Sequence, residues 1–223
     1  MTEQTRSNLR MVGTTTTSGG HFKDVSVTGE CTFNGEVDCK KLGLTGELKI
    51  TGNLLVDELK ITGECSVEGR VVGSSLKGRG ALNTSSSLVV ERIRFTGNIA
   101  AKGNCESEKL TISGAIQVEG LLSAEELELA IYGPSRAIEV GGGSILIKRS
   151  TTAKIMDFMK PGEDASFTAE VIEGDHIQLQ STRAGMVRGK HIIIGSDCDI
   201  HTVEYRDTLE IHRNAKVKHQ VKL

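Results

Sequence analysis

The sequence predicts an all-β fold, a three-sided parallel β-helix stacked as a solenoid of about 10–11 turns. Three observations predict it. A 17-residue repeat runs without a gap through residues 25–126. Apolar and polar residues alternate inside each unit. Glycine returns at the fifth position of all six units, at Gly29, Gly46, Gly63, Gly80, Gly97 and Gly114.

The units read VSVTGECTFNGEVDCKK, LGLTGELKITGNLLVDE, LKITGECSVEGRVVGSS, LKGRGALNTSSSLVVER, IRFTGNIAAKGNCESEK and LTISGAIQVEGLLSAEE. Each opens on an aliphatic residue: Val25, Leu42, Leu59, Leu76, Ile93 and Leu110. Leu127 then opens a seventh, degraded unit. Each unit divides into thirds of six, six and five residues. Alternation is the strand signature, because successive side chains point to opposite faces. Val25-Ser26-Val27-Thr28-Gly29 is the pattern: two inward residues, then a corner where glycine supplies a positive φ. Three such strands close one triangular turn, and the next turn stacks on it at about 4.8 Å. Residues 25–129 nowhere show the helical period of about 3.6 residues that a helical solenoid needs.

After Leu127 the register breaks. Ile131-Tyr132-Gly133-Pro134 interrupts the strand, Gly141-Gly142-Gly143 follows, and Ile145 and Ile147 restore alternation. Residues 149–165 fit no strand template and are expected to leave the coil as a loop. That loop would tuck Ile155, Met156, Phe158 and Met159 against the rod before Pro161-Gly162 ends the excursion. A membrane or partner contact by those residues is the sharper alternative. From Val171 a looser 16-residue repeat is headed by Val171, Val187 and Val203. The inward pairs Ile177/Leu179, Ile192/Ile194 and Leu209/Ile211 follow, then Ala184/Met186, Cys198/Ile200 and Ala215/Val217. Residues 137–140 resemble 171–173 and start 34 positions earlier, so the coil is expected to continue on both sides of the loop.

The expected organisation has four parts. Residues 1–21 form a flexible N-terminal tail and 22–130 the regular β-helix. Residues 131–170 hold irregular turns with the 149–165 excursion, and 171–223 hold C-terminal turns of 16-residue period.

Composition agrees with a thin core. Aromatics are 3% of 223 residues and Trp is absent. The net charge of −2 offers no basic field, so nucleic acid is not an expected partner. No apolar run approaches the roughly 18 residues of a membrane span. Residues 1–20 are polar and lack the apolar stretch of a signal peptide, which makes a cytoplasmic location the expectation.

The repeat also assigns the thiols. Cys31 and Cys65 fall at the seventh position, Cys39 at the fifteenth and Cys105 at the thirteenth, all inward columns otherwise filled by Leu, Ile or Val. Cys31 and Cys65 share a column but stand two turns apart, about 9–10 Å by strand spacing, beyond disulfide reach. They are expected to be buried, reduced core residues.

Tests for chemistry are mostly negative. The hexapeptide helix of acyltransferases places a small residue directly after the aliphatic one, whereas here Gly follows it by four. A carbohydrate-cleaving β-helix needs convergent carboxylates. Glu30, Glu47 and Glu64 do stack in one outward column, but a solubilising face is the expectation. Asp57 and Glu58 sit one turn above Lys40 and Lys41, a pairing that would fix register. His176 and His191 should stack outward on adjacent turns, with no third metal ligand in sight. No cofactor, metal site or catalytic residue is expected, since no P-loop, GxSxG or CxxC motif occurs.

The V-x-V-T-G-E and L-K-I-T-G-N units, with a polar N-terminal segment before them, resemble the bactofilins, polymer-forming bacterial cytoskeletal proteins. The likeness covers nearly all of residues 20–223. It is nearest to the longer members from Gram-positive, endospore-forming bacteria, on the segments LAIYGPSRAIEVGGGSILIKR at 129–149 and VIEGDHIQL with VRGKHIIIGSDCDIHTVEY within 171–205. The resemblance implies a right-handed coil that polymerises end to end into filaments without nucleotide. It also implies a non-enzymatic scaffold for cell shape, motility or envelope-linked assembly. The implied partners are further copies of the chain or a second bactofilin, with a peripheral membrane contact. This chain is longer than a compact bactofilin and has no Pro-rich C-terminal tail, holding only two prolines. A β-helical enzyme or ligand-binding rod, of acyltransferase or carbohydrate type, is the alternative.

Uncapped β-helix ends expose backbone groups and core, which favours end-to-end association. No capping helix precedes Val25, and Phe22 is the one candidate plug. The expected contact residues are Phe22, Val25, Val27 and Phe33 at one end. At the other they are Val203, Leu209, Ile211, Val217 and Val221, with Lys216, Lys218 and Lys222 outward.

Overall fold

Leu42, Leu59, Leu76, Ile93, Leu110 and Leu127 stand directly over one another, each paired with the next across a parallel ladder. The sequence period is therefore the length of one coil. In a computed structural model that describes residues 6–150 and 165–223, these ladders build one parallel 12-stranded sheet wound as a β-solenoid. The strands are β1 (Ser7–Ile50), β2 (Leu54–Val67), β3 (Val71–Thr84), β4 (Leu88–Ala101), β5 (Cys105–Val118) and β6 (Leu121–Ile131). They continue with β7 (Ser135–Arg136), β8 (Glu139–Arg149), β9 (Phe167–Leu179), β10 (Thr182–Ile194), β11 (Asp199–Ile211) and β12 (Lys216–Lys222). Among the described residues there is no helix.

Six inward columns fill the coil. In β2 they hold Leu54, Val56, Leu59, Ile61, Cys65 and Val67, every one buried. The core is a narrow stack of such layers, continuous from Met11 to Val203. The corner glycines are required where the φ is positive and the previous coil presses from below. Gly63 has φ +128, and a Cβ there would collide with the carbonyl oxygen of Gly46.

Beyond Leu127 the coil keeps its columns and changes its length. Leu127 pairs with Ile145, a slightly longer step than the regular repeat, and Ile145 pairs with Ile177, a far longer one. Ile177 pairs with Ile192, a shorter step, and Ile192 pairs with Leu209 at the regular spacing again. A uniform 16-residue period is thus a correction to make: it holds between Val187 and Val203 but not throughout. The residue gained there is absorbed by a register shift between Gly189 and His191. Only the inward pairs must stay in register, so corners take up the difference. Val171 does not head a unit either, because Ile172 is the buried residue and pairs with Val187. The segments at 137–140 and 171–173 align with Val140 over Ile172, a smaller offset than their sequence likeness suggests. Of the expected excursion at 149–165, Arg149 belongs to β8 and Ala165 is buried, while residues 151–164, with Ile155, Met156, Phe158 and Met159, lie outside the described residues.

The largest departure from expectation is at the N-terminus. Residues 7–21 belong to strand β1 and make a first coil where a flexible tail is expected. Leu9, Met11 and Gly13 repeat the spacing of Val25, Val27 and Gly29 one coil later. A Cβ on Gly29 would stand 2.6 Å from the Gly13 carbonyl oxygen, so the two coils touch backbone to backbone. Met11 is 4% exposed. Few apolar groups suffice because the coil is held by the backbone ladder of the one above it.

Candidate functional site: the uncovered last coil

At the N-terminal end the first coil lies over the residues expected to be open. Val25, Val27 and Phe33 are 2%, 1% and 0% exposed, so none of them is an end residue. Phe22 packs against the core, its ring centroid 6.0 Å from that of Phe33. An ion-paired clasp fixes this coil. Arg6 donates two hydrogen bonds to the Asp38 carboxylate, both 2.9 Å, and His21 Nδ1 lies 3.0 Å from the same group. Burial pushes the Asp38 carboxyl up, but the hydrogen bonds from His21 and Arg6 outweigh it and hold the group below the usual aspartate value.

Strand β12 stacks on the first part of β11, with Lys216 over Asp199 and Val217 over Ile200. Among the described residues no strand stacks beyond it. Leu209, Ala215 and Val217 are half-buried against the core, and Ile211 is 36% exposed. Val203 lies one coil deeper and is buried. Val221 does not face inward as expected. It stands over Glu204 and is 42% exposed, while Gln220 stands over Val203 in the inward column. Leu223 is 63% exposed. The last coil therefore presents apolar core along two faces and polar groups on the third.

Some charges pair between coils, while Lys60, Lys77 and Arg94 stack as like charges without an ion pair among the described residues. Arg188 Nε donates to Glu204 at 2.7 Å, and Arg188 Nη1 also lies 3.9 Å from Glu173. Lys190 donates to Asp175 at 2.9 Å, and Lys109 pairs with Glu126. Lys41 meets Glu58 at 3.2 Å as expected, with both side chains well exposed. Residues 206–223 hold five Lys and Arg against two Asp and Glu, a net +3. Among the described residues Arg206, Arg213, Lys216, Lys218 and Lys222 take part in no ion pair.

Elsewhere the chemistry is sparse. His176 and His191 stack with centroids 4.8 Å apart, and His191 Nδ1 lies 3.0 Å from Thr208 Oγ1. No cluster of three metal-ligating side chains occurs among the described residues. All five cysteines are buried and free, including Cys198, which shares the column of Cys31 and Cys65. Burial pushes the Cys65 and Cys105 thiols up to about 12 and Cys198 to about 11. A groove of about 820 Å³ runs along β2 to β5, past Lys49, Glu68, Lys102, Glu119 and Arg136. Glu68 is paired with Lys49 at 2.7 Å. Glu68 and Glu119 are three coils apart, about 14 Å by strand spacing. That exceeds the separation of about 5–9.5 Å at which two carboxylates share a glycosidic bond. No helix among the described residues is long and apolar enough to cross a membrane.

The signal that could have found the first coil is Leu9-x-Met11-x-Gly13, and Lys216, Lys218 and Lys222 are visible as an alternating pattern. The ion pairs between coils needed the register.

The described residues form a β-solenoid rod whose first coil covers Val25 and Phe33 and whose last strand, β12, stacks on β11. No family model matches the chain, and no solved structure matches it. Two relatives from Bacillus subtilis (strain 168) do. "Uncharacterized protein YhbF" is 36% identical over 104 residues, which is 46% of this chain and 42% of the relative. "Uncharacterized protein YhbE" is 35% identical over 104 residues, 46% of this chain and 43% of the relative. The match thus spans less than half the length of either relative.

Proposed function

We propose that this chain is a non-enzymatic scaffold of bactofilin type, whose rods associate end to end without nucleotide. In this role it organises cell shape, motility or envelope-linked assembly. One observation supports the proposal: among the described residues no strand stacks beyond β12, and Leu209, Ile211 and Val217 are left partly exposed there. An uncovered strand edge is a template for another strand. The nearest surface of a second copy is its first coil, whose 14–18 stretch of Thr and Ser is uncharged. The +3 end opposes a like end, so tail-to-tail contact is disfavoured and head-to-tail stacking is preferred.

Sedimentation velocity and electron microscopy of the purified chain over a salt series test this. Assemblies that grow with protein concentration are expected. Monomers alone at high concentration in every salt would end the self-association proposal. The groove along β2 to β5 supports a second reading, a rod that binds an extended ligand. Binding of an oligosaccharide that Lys102→Ala and Glu119→Ala abolish would favour it.

A further inference from the structure

Strand β3 holds two cations, Lys77 and Arg79, and no acid. Lys60 stands directly under Lys77, and Arg94 directly over it. Arg79 lies in the next outward column, over Thr62 and under Thr96. All four cations are exposed, and among the described residues none takes part in an ion pair or a side-chain hydrogen bond. Their backbones stand about 4.8 Å apart from coil to coil. Like charges directly across a ladder destabilise it, and here no counter-charge relieves them. Gly43 below and Thr111 above end the Lys60 column without charge. The result is a strip of four positive charges over three coils, in a chain whose net charge is −2.

The strip is narrow. Past the corner at Gly46 and Gly63 the next column is acidic, with Glu47 under Glu64. On the other side Glu58 pairs with Lys41 at 3.2 Å, and Glu91 lies 3.8 Å from Arg92. A broad anionic plane such as a membrane would meet these acids together with the cations. An anionic chain laid along the rod axis would meet the cations alone. The strip has no exposed apolar anchor of the kind that centres most protein interfaces, since Phe95 turns inward and is 2% exposed. For the same reason it has no ring on which the bases of a single-stranded nucleic acid could stack. It offers charge and hydroxyl groups. Thr45, Thr62, Thr96 and Ser113 continue the Arg79 column, and their hydroxyls make no hydrogen bond among the described residues. Lys serves phosphate as a compact point charge and Arg as a bidentate fork. From Lys60 to Arg94 is two coil steps, roughly 10 Å. Only a chain with a charged phosphate at every link places several anions over so short a strip.

We propose that Lys60, Lys77, Arg79 and Arg94 form a binding strip for inorganic polyphosphate laid along the rod axis. Lys60, Lys77 and Arg94 meet phosphates along one side of the chain, and Arg79 with the flanking hydroxyls of Thr62 and Thr96 meets the other. The bound chain supplies the counter-charge that the column lacks, so it stabilises β2 to β4 against unfolding. The strip lies in the body of the rod, on strands paired on both sides, and does not depend on self-association.

The test uses the full chain and fluorescently labelled inorganic polyphosphate, read by anisotropy over a salt series. Binding at low salt that weakens as salt rises is expected, because each contact between a cation and a phosphate releases counterions. Lys77→Gln with Arg79→Gln should lower the affinity about tenfold and reduce the salt slope by about two. Lys60→Gln with Arg94→Gln, on the coils to either side, should act in the same direction. Arg79→Lys keeps the charge and should keep most of the affinity. Lys23→Gln with Lys40→Gln removes two exposed charges outside the strip and should leave the affinity unchanged. The neutralised variants should melt no lower than the parent, and polyphosphate should raise the melting temperature of the parent alone. No binding at low salt, indifference to both strip variants, or an equal loss from the Lys23 and Lys40 variant overturns the proposal. So does tighter binding of a thymidine oligonucleotide or of phosphatidylserine vesicles than of polyphosphate.

Discussion

Asn104 Oδ1 accepts a hydrogen bond of 3.1 Å from the backbone N–H of Leu121, and a Cβ on Gly120 would collide with that same oxygen. One coil's asparagine thus caps the corner of the next and forbids a side chain there. Asn53 repeats it, with its Oδ1 3.1 Å from the Arg70 N–H and 2.5 Å from a Cβ built on Gly69. The other neighbours of a Cβ at Gly120 are the Gly103 backbone at 3.3 Å, so the asparagine is the chief obstacle. Gly120→Ala should cost about 1–3 kcal/mol in urea melts. Much of that cost should vanish in an Asn104→Ala background. A double-mutant cycle with no coupling between the two sites would contradict this corner geometry. Gly63→Ala has no such rescue, because a backbone carbonyl blocks it and its φ is +128.

How much of this was legible in the sequence differs along the chain. The six inward columns could be read from Val25 to Leu127 because every inward position is apolar and the period is constant. The first coil hid behind residues 14–18, all Thr or Ser, whose composition resembles linker although the backbone ladder alone holds them. Beyond Ile145 a constant period misled, since coils of unequal length stack equally well when the slack sits in a corner. Val221 was misplaced for the same reason: a single-residue slip exchanges the inward and outward faces. The candidate site depended on that register. Lys216, Lys218 and Lys222 are visible as an alternating pattern, but that Lys216 continues a column of Arg183 and Asp199 requires knowing which residues stack.

The thiols should be inert in the folded rod. Burial pushes Cys65 and Cys105 up to about 12, so almost no thiolate exists at neutral pH. A chromogenic disulfide reagent should label them only as fast as the coil opens. Labelling should become immediate in urea. Fast labelling of Cys105 in buffer would mean that its coil opens readily. Serine at Cys65 should cost about 1–3 kcal/mol, because a hydroxyl would be buried there among apolar side chains.

Asp38 should make the first coil sensitive to acid. Its folded pKa is lowered, so its stabilising contribution is present above the ordinary value of 3.8 and lost as pH falls through the lowered one. Amides of residues 7–20 should therefore be protected from exchange at neutral pH and lose protection below that value. The Asp38→Asn substitution should produce the same local loss at neutral pH. Its cost should be about 1 kcal/mol or less, since Arg6 and His21 are both partly exposed. Protection elsewhere in the rod should not change. A global rather than local loss would show that the clasp supports the whole solenoid.

Charges placed at the two ends of the core should have different consequences. Phe33 is 0% exposed beneath the first coil, so Phe33→Glu buries a carboxylate and removes a ring that meets Phe22. Truncating a buried Phe alone costs about 3–5 kcal/mol, and the charge adds to it. That variant should melt early or misfold, with assembly lost only as a consequence. Val217 is half-buried at the uncovered end, with water on one side. Val217→Glu should keep the circular dichroism and melting temperature of the parent within a few degrees while sedimentation shifts toward monomer. If Phe33→Glu leaves the fold and its melting temperature intact, Phe33 does not lie buried beneath the first coil in solution.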